Sequence, residues 1–159
     1  MRGQASLVLY ADGHADTGAW GTDVAMTPTV VSVRQNLVPL VQNGRVNPGC
    51  ATGGEHEWGD TIGQAAFIDR SGFGVTATGE EVYAAGPALS VCTLGAVLAD
   101  AGVVRGMELD INPSWVSGAY FTRSGSGAPV GHPLYPAERV SPSHYLTPSS
   151  RDWFSWSLR

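Results

Sequence analysis

Apolar and polar residues alternate through much of this chain, and the breaks in the alternation mark its turns. Over residues 4–20, QASLVLYADGHADTGAW, the period is two and the interruption is Asp12-Gly13, a dipeptide that supplies the positive φ of a tight hairpin. Two strands are predicted there, and a chain that opens directly in a strand is expected to lack sequence before Met1. Thr27 followed by Pro28 reads as an N-cap and a first helical position, which predicts a short helix over 28–36. Residues 37–46, LVPLVQNGRV, predict a strand running into an Asn43-Gly44 turn, placed at a sheet edge because Pro39 cannot donate to a ladder. The next stretch, NPGCATGGEHEWGD, reads as a turn-rich loop.

Residues 65–86 give two or three short strands around a Thr78-Gly79 turn. Past them the period changes. SVCTLGAVLADAG has Ser90 as a cap, Leu94, Val97, Leu98 and Ala101 on one face, and Gly102 as terminator, which together predict a helix. It delivers the chain to VVRGMELDINPSW, residues 103–115, where the period returns to two. Glu108, Asp110 and Asn112 fall on one face and Met107, Leu109 and Ile111 on the other, so a strand with a dry back and an acidic front is expected, stopped by Pro113. From 124 to 146 Gly, Ser and Pro dominate and predict a long surface loop. The final SRDWFSWSLR alternates again and is expected to return as a strand. The sum is an α+β fold: a mixed, mostly antiparallel sheet with one or two helices and long Gly/Pro/Ser-rich loops, in a single domain over 1–159.

Composition limits what the acidic front could serve. Charged residues make up 14%, well below the usual quarter, and there are 21 glycines, so the chain reads as rich in loops and strands. Net charge is −5, and the nine basic residues are all Arg and scattered. Without a basic stripe there is no footprint for nucleic acid or an anionic membrane surface. The absence of Lys excludes a lysine Schiff base and the lysine-bearing phosphate loop. No apolar run reaches membrane-spanning length, and the first residues are too short in apolar length for a signal peptide. Cys50 and Cys92 are too few for a disulfide scaffold and match no zinc spacing, which leaves a single bridge between them open.

Several motifs weaken on inspection. GFGVTA, residues 72–77, has the letters of a dinucleotide fingerprint, but strand patterning continues on both sides, so its glycines read as a tight turn and a bulge. EHEW places His56 between two carboxylates too close in sequence to aim at one metal, and a solvated loop is the plainer reading. The residues call for no metal and no cofactor. The serines of 123–127 lack a partnering base.

The acidic strand withstands the same scrutiny. Carboxylates two apart on a strand have Cα atoms roughly 6.7 Å apart, from a rise of about 3.3 Å per residue. That spacing permits acid and base work on a glycosidic bond, with Asp110 and Glu108 as the catalytic candidates, and leaves retention or inversion open. The plain alternative is a solvated edge face. Asn112 and Trp115 stand where the strand ends, where ligands gather. Arg70, with Ser71 beside it, offers a planar charged fork suited to phosphate. Arg34 and Asn36 are further candidate substrate contacts ahead of an apolar strand, although a helix would turn neighbouring side chains there to different faces.

Four ordered blocks carry a resemblance: residues 18–44 with RQNLVPLVQNG, residues 58–91 with DRSGFG, MELDINPSWV at 107–116, and SRDWF at 150–154. Together they resemble the C-terminal half of the phosphodiester glycosidase family, in its bacterial, exopolysaccharide-associated branch. The family's Arg-Thr/Ser-x-x-Gly block is matched by Arg70, Ser71 and Gly74, which implies a phosphate contact at Arg70. Its Asn-Leu-Asp-Gly-Gly-Gly-Ser block is matched by Glu108, Leu109 and Asp110, after which Ile111, Asn112 and Pro113 replace glycines. The resemblance implies a hydrolase that cleaves a sugar from a sugar-1-phosphodiester, a carbohydrate or sugar-phosphate substrate, an extracytoplasmic location, and a missing N-terminal part. The rival expectation is a glycan- or polymer-binding domain that keeps the fold without catalysis.

Overall fold

The computed structural model describes residues 1–157. β1 (Ala5–Tyr10) and β2 (Ala15–Ala19) form the opening hairpin, with Gly13 at φ 90° in its turn. The stretch 28–36, expected as a helix, instead supplies β3 (Val30–Gln35), antiparallel to β1 on the side away from β2. Val30, Val31 and Val33 explain the difference. Branched side chains suit a pleated surface, a helix of about nine residues is marginal alone, and β1 offers a free edge.

β4 (Pro39–Gln42) turns through Asn43 and Gly44, both at positive φ, into the two-residue β5 (Arg45–Val46). β4 was expected at an edge but lies one place in, between β5 and β8 (Val103–Ile111). Pro39 is tolerated because it is the strand's first residue, beside a shift in register. β6 (Ile68–Thr76) and β7 (Glu81–Leu89) complete a five-stranded antiparallel sheet in the order β5-β4-β8-β6-β7. The loop of 47–60 contains a 3-10 turn at Pro48–Ala51 and a short helix α1 (Glu55–Trp58), whose Trp58 is buried and donates its indole N–H to the Gly49 carbonyl at 3.1 Å.

The helix α2 (Val91–Asp100) begins where Ser90 Oγ accepts from the Thr93 N–H, and the chain leaves it through Gly102 at φ 87°. Its buried face is Val91, Leu94, Gly95 and Leu98, spaced i, i+3, i+4, i+7; Val97 is 43% exposed and Ala101 lies beyond the last turn, so the expected face is rotated. Gly72 and Gly74, expected in a turn, stand in the middle of β6 under this helix. A Cβ at Gly74 would lie 2.3 Å from Val103 Cγ1, and one at Gly72 would lie 2.9 Å from the Met107 carbonyl oxygen and 3.0 Å from Leu98 Cδ1. The glycines set how closely helix and strands approach. Cys50 and Cys92 are bridged, with Cα atoms 5.0 Å apart across a sequence separation of 42. Closing a loop of that size constrains the unfolded chain by about 4 kcal/mol.

Three layers result. One core lies between the three-stranded and five-stranded sheets, built from Ala5, Leu7, Ala15, Phe73, Val75, Met107 and Leu109. The other lies between the five-stranded sheet and α2, built from Leu40, Val41, Trp58, Leu94, Leu98 and Val103. Arg105 pins the sheets together, donating from Nε to the Thr17 carbonyl at 2.8 Å. The expected long loop after 123 contributes strand and turn: β9 (Ala119–Thr122) pairs with β10 (Val130–Pro133), and Pro142–Leu146 forms a 3-10 turn. The terminal strand expected over 150–159 is absent from 150–157, and residues 158 and 159 lie outside the described residues. There Phe154 packs its ring without a ladder, meeting Phe73 and Tyr83 edge-on, while Trp153 and Trp156 stay about half exposed. No helix is long and apolar enough to cross a membrane among the described residues.

Candidate functional site

The site is built on the end of β8, where its pairing with β6 slips. Ile111 stands opposite Arg70 and Glu108 opposite Gly72, so β8 spends an extra residue between these pairs. Such a bulge breaks the two-residue alternation. Glu108 and Asp110 were expected on one acidic face, and the slip separates them. Met107 and Glu108 keep the alternation, Met107 in the intersheet core, while Asp110 joins Leu109 in the wall of a hollow of about 1090 Å³. Asn36 covers the disturbed backbone, its amide donating to the carbonyls of Glu108 and Leu109 at 3.1 Å each.

Glu108 is fully buried. Its Oε1 accepts a hydrogen bond from the Arg70 guanidinium, whose Nε also donates to the Leu89 carbonyl at 3.1 Å. Its Oε2 has no hydrogen-bond partner among the described residues. Burial pushes the Glu108 carboxyl up to about 7, against the downward pull of the Arg70 charge. Arg70, expected at a substrate phosphate, is 3% exposed and committed to this pair. Neither residue reaches the hollow. Ser71, its neighbour on the opposite face of β6, does, and its hydroxyl donates to the Asp110 carbonyl at 2.9 Å.

Asp110 is 40% exposed at the side chain and faces two guanidiniums, with Oδ1 3.7 Å from Arg34 and 3.8 Å from Arg151. Arg34 comes from β3, where Ser32 and Arg34 continue the face begun by Leu7 and Leu9 of β1. A strand at 30–35 is what brings Arg34 there. Arg151 lies over the Trp115 ring, 3.5 Å from its centroid, a stacked cation–π contact. The Asp152 carboxylate makes a close ion pair with Arg34.

Aromatic residues form the rest of the wall, including Tyr83, Tyr120, Phe121, Tyr145 and Trp153. The Tyr83 hydroxyl donates to the Ser117 carbonyl at 2.7 Å, and Tyr145 shares a 2.6 Å hydrogen bond with Ser117 Oγ. Burial raises both phenols above their ordinary value, so both remain protonated in neutral solution. Glu138 accepts from the N–H groups of Gly118 at 3.0 Å and Leu134 at 3.2 Å, which holds the β9–β10 hairpin at the rim.

Of the residues expected from sequence, Arg34, Ser71, Asp110 and Trp115 come together here, and Glu108 and Arg70 do not. Asn36 and Asn112 line a smaller adjoining hollow of about 390 Å³. Asn112 adopts φ 77°, a conformation Asn tolerates better than most side chains. Its amide accepts from the Ile62 N–H at 2.9 Å and donates to the Asp60 carbonyl at 3.2 Å, so it fastens the neighbouring loop. Sequence reasoning overlooked Arg151, Asp152, Tyr83 and Tyr145. The signal for the first two was an Arg-Asp pair set directly before aromatic residues in the terminal stretch.

No protein-family model and no curated protein matches the chain. Among solved structures it is similar to the catalytic domain of zebrafish N-acetylglucosamine-1-phosphodiester alpha-N-acetylglucosaminidase, auto-inhibited by its pro-peptide, with a TM-score of 0.51 and 16% identity over 70% of this chain and 41% of that chain. A hypothetical protein from Synechocystis aligns with a TM-score of 0.37 and 13% identity over 72% of this chain and 29% of its own. The chain spans less than half the length of either neighbour. The first likeness is one of fold, and that fold is like a phosphodiester glycosidase domain's.

Proposed function

We propose that the hollow serves a glycosidase-type hydrolase that cleaves a sugar from a sugar-1-phosphodiester, in exopolysaccharide or cell-wall glycan metabolism. The observation that carries this reading is Asp110, a carboxylate opening into an aromatic-walled hollow beside two guanidiniums. A glycosidase acting on an alkoxide leaving group needs a second carboxyl group to protonate it. A phosphate leaving group does not, because its second pKa is about 6 and it departs as an oxyanion. The C1–O bond breaks with its electron pair on the phosphate oxygen. Asp110 either adds to C1, giving a glycosyl ester that water then hydrolyses at C1 to release the sugar and the free carboxylate, or takes a proton from a water that attacks C1 directly. Trp115 and its aromatic neighbours hold the sugar faces. Glu108 and Arg70 act from beneath, fixing the register of β8 and hence the aim of Asp110. An oxidised Cys50–Cys92 bridge supports the extracytoplasmic location that goes with this reading.

Turnover of a chromogenic sugar-1-phosphodiester tests it. Asp110→Asn is expected to lower kcat by about 10²- to 10⁴-fold, the range for a positioned acid or base. A variant with the wild-type rate would remove Asp110 from the chemistry. The aromatic wall also favours a second reading, a glycan-binding domain, since rings of this kind bury large apolar faces and keep a polar edge. Saturable glycan binding by the wild-type chain with no turnover would decide for it.

A further inference from the structure

Arg34 holds two carboxylates at once: Asp110 from β8, at 3.7 Å, and Asp152 from the terminal segment, in close contact. The two differ in how firmly they are placed. Asp110 is on a sheet strand whose backbone is bonded to Ser71 and Asn36. Asp152 is 67% exposed at the side chain and belongs to a segment without helix or ladder. Arg151, the residue before it, lies against Trp115 and Asp110. The guanidiniums of Arg34 and Arg151 thus converge on the same stretch of the hollow, and an ionised oxygen acceptor from the protein's own chain is already seated on one of them.

We propose that the Arg34–Arg151 pair is an anion subsite for the phosphate of the substrate, and that the Asp152 carboxylate occupies it as an internal competitor. The choice of phosphate rests on the phosphodiester reading above. A planar guanidinium presents the same pair of N–H groups to a carboxylate and to a phosphate, so a site that fits one fits the other. A phosphodiester carries one negative charge over two unbridged oxygens, as a carboxylate does, so the two compete for the same fork, and the phosphate displaces the carboxylate when its local concentration suffices. The segment at 150–157 then stays anchored by Phe154 on Phe73 and Tyr83 while Asp152 swings toward solvent. Arg70, the basic residue that the sequence pattern favoured for phosphate, is left to its buried partner.

Isothermal titration of the full chain with inorganic phosphate tests the subsite by binding alone. Arg34→Gln is expected to weaken phosphate by about tenfold or more, the effect of losing one hydrogen bond to a charged group. Arg34→Lys keeps the charge and the strand yet falls between, because an ammonium lacks the planar fork. Asp152→Asn is expected to tighten phosphate by up to about fivefold, the most that an exposed ion pair can withhold. In the Arg34→Gln background the same Asp152→Asn change should give no gain. A loss of affinity on Asp152→Asn would mean that Asp152 positions Arg34, and would overturn the competition. Phosphate affinity indifferent to Arg34→Gln would overturn the subsite itself. Turnover of the phosphodiester without Arg34-dependent phosphate binding sinks this inference and spares the proposed reaction. Arg34-dependent binding with no turnover does the opposite.

Discussion

The two carboxylates of β8 stand two residues apart, each beside arginine, and the sheet between them gives them different lives. Glu108 faces Arg70 with both side chains almost wholly out of solvent. Asp110 faces Arg34 and Arg151 with every side chain between 37% and 40% exposed. An Arg–carboxylate pair therefore has no fixed worth. In the interior, breaking it strands a charge, whereas at the hollow water and ions replace whichever partner is lost. The buried pair suits a permanent strut and the open one suits exchange of ligands.

The largest break in this symmetry is expected at Arg70. Arg70→Met should cost about 3–5 kcal/mol in urea unfolding at pH 8, the range for stranding a buried charge. Arg70→Met combined with Glu108→Met should recover most of that loss; a double variant as unstable as the single one would mean that packing, and not charge, holds this place.

The pH dependence sharpens the same contrast. Folded Glu108 keeps its proton up to about pH 7, whereas the unfolded carboxyl releases it near 4.5. Between those values the unfolded chain binds fewer protons, so this group's contribution to stability is full below 4.5 and is lost as pH rises through 7. Relative to wild type, Glu108→Gln should therefore gain stability across that window, by on the order of 3 kcal/mol at most. Equal pH profiles for the two proteins would deny the effect of burial. The smallest effect belongs to the open pair. Asp110→Asn should change unfolding free energy by less than about 1 kcal/mol, and a larger loss would make Asp110 a structural residue.

Local signals were legible in the sequence because local chemistry fixes them. Asp12-Gly13, Asn43-Gly44 and Thr78-Gly79 make the turns they spell, and Ser90 caps α2. The Thr27-Pro28 signal was equally local but was overruled, since β1 lacked a neighbour and the valines at 30, 31 and 33 could serve as one. Asp110, Trp115 and Arg34 were named from their residue types and Ser71 from the block it shares with the resembled family, and all four line the hollow. The burial of Glu108 was not legible, because it depends on a slip between β6 and β8, where Gly72 meets Glu108 and Arg70 meets Ile111, pairs that no short window contains. Arg151 and Asp152 were missed for a related reason. The stretch 150–157 reads as a strand by alternation, yet the rings of Phe154 and Trp156 meet Phe73 and Tyr83, far away in sequence.

The placement of the indoles has a practical outcome. Of the five tryptophans, Trp115, Trp153 and Trp156 line the hollow, and Trp58 is buried between α2 and the sheet. Indole emission shifts with the polarity around the ring and weakens near charges that move. Trp115, lying under the Arg151 guanidinium, should therefore change colour and intensity when an occupant draws that cation away. Trp58 stays in the same dry surroundings throughout and supplies a constant background. The protein thus carries an intrinsic optical probe at the position where occupancy needs to be watched, and binding can be followed on the unlabelled chain at micromolar concentration.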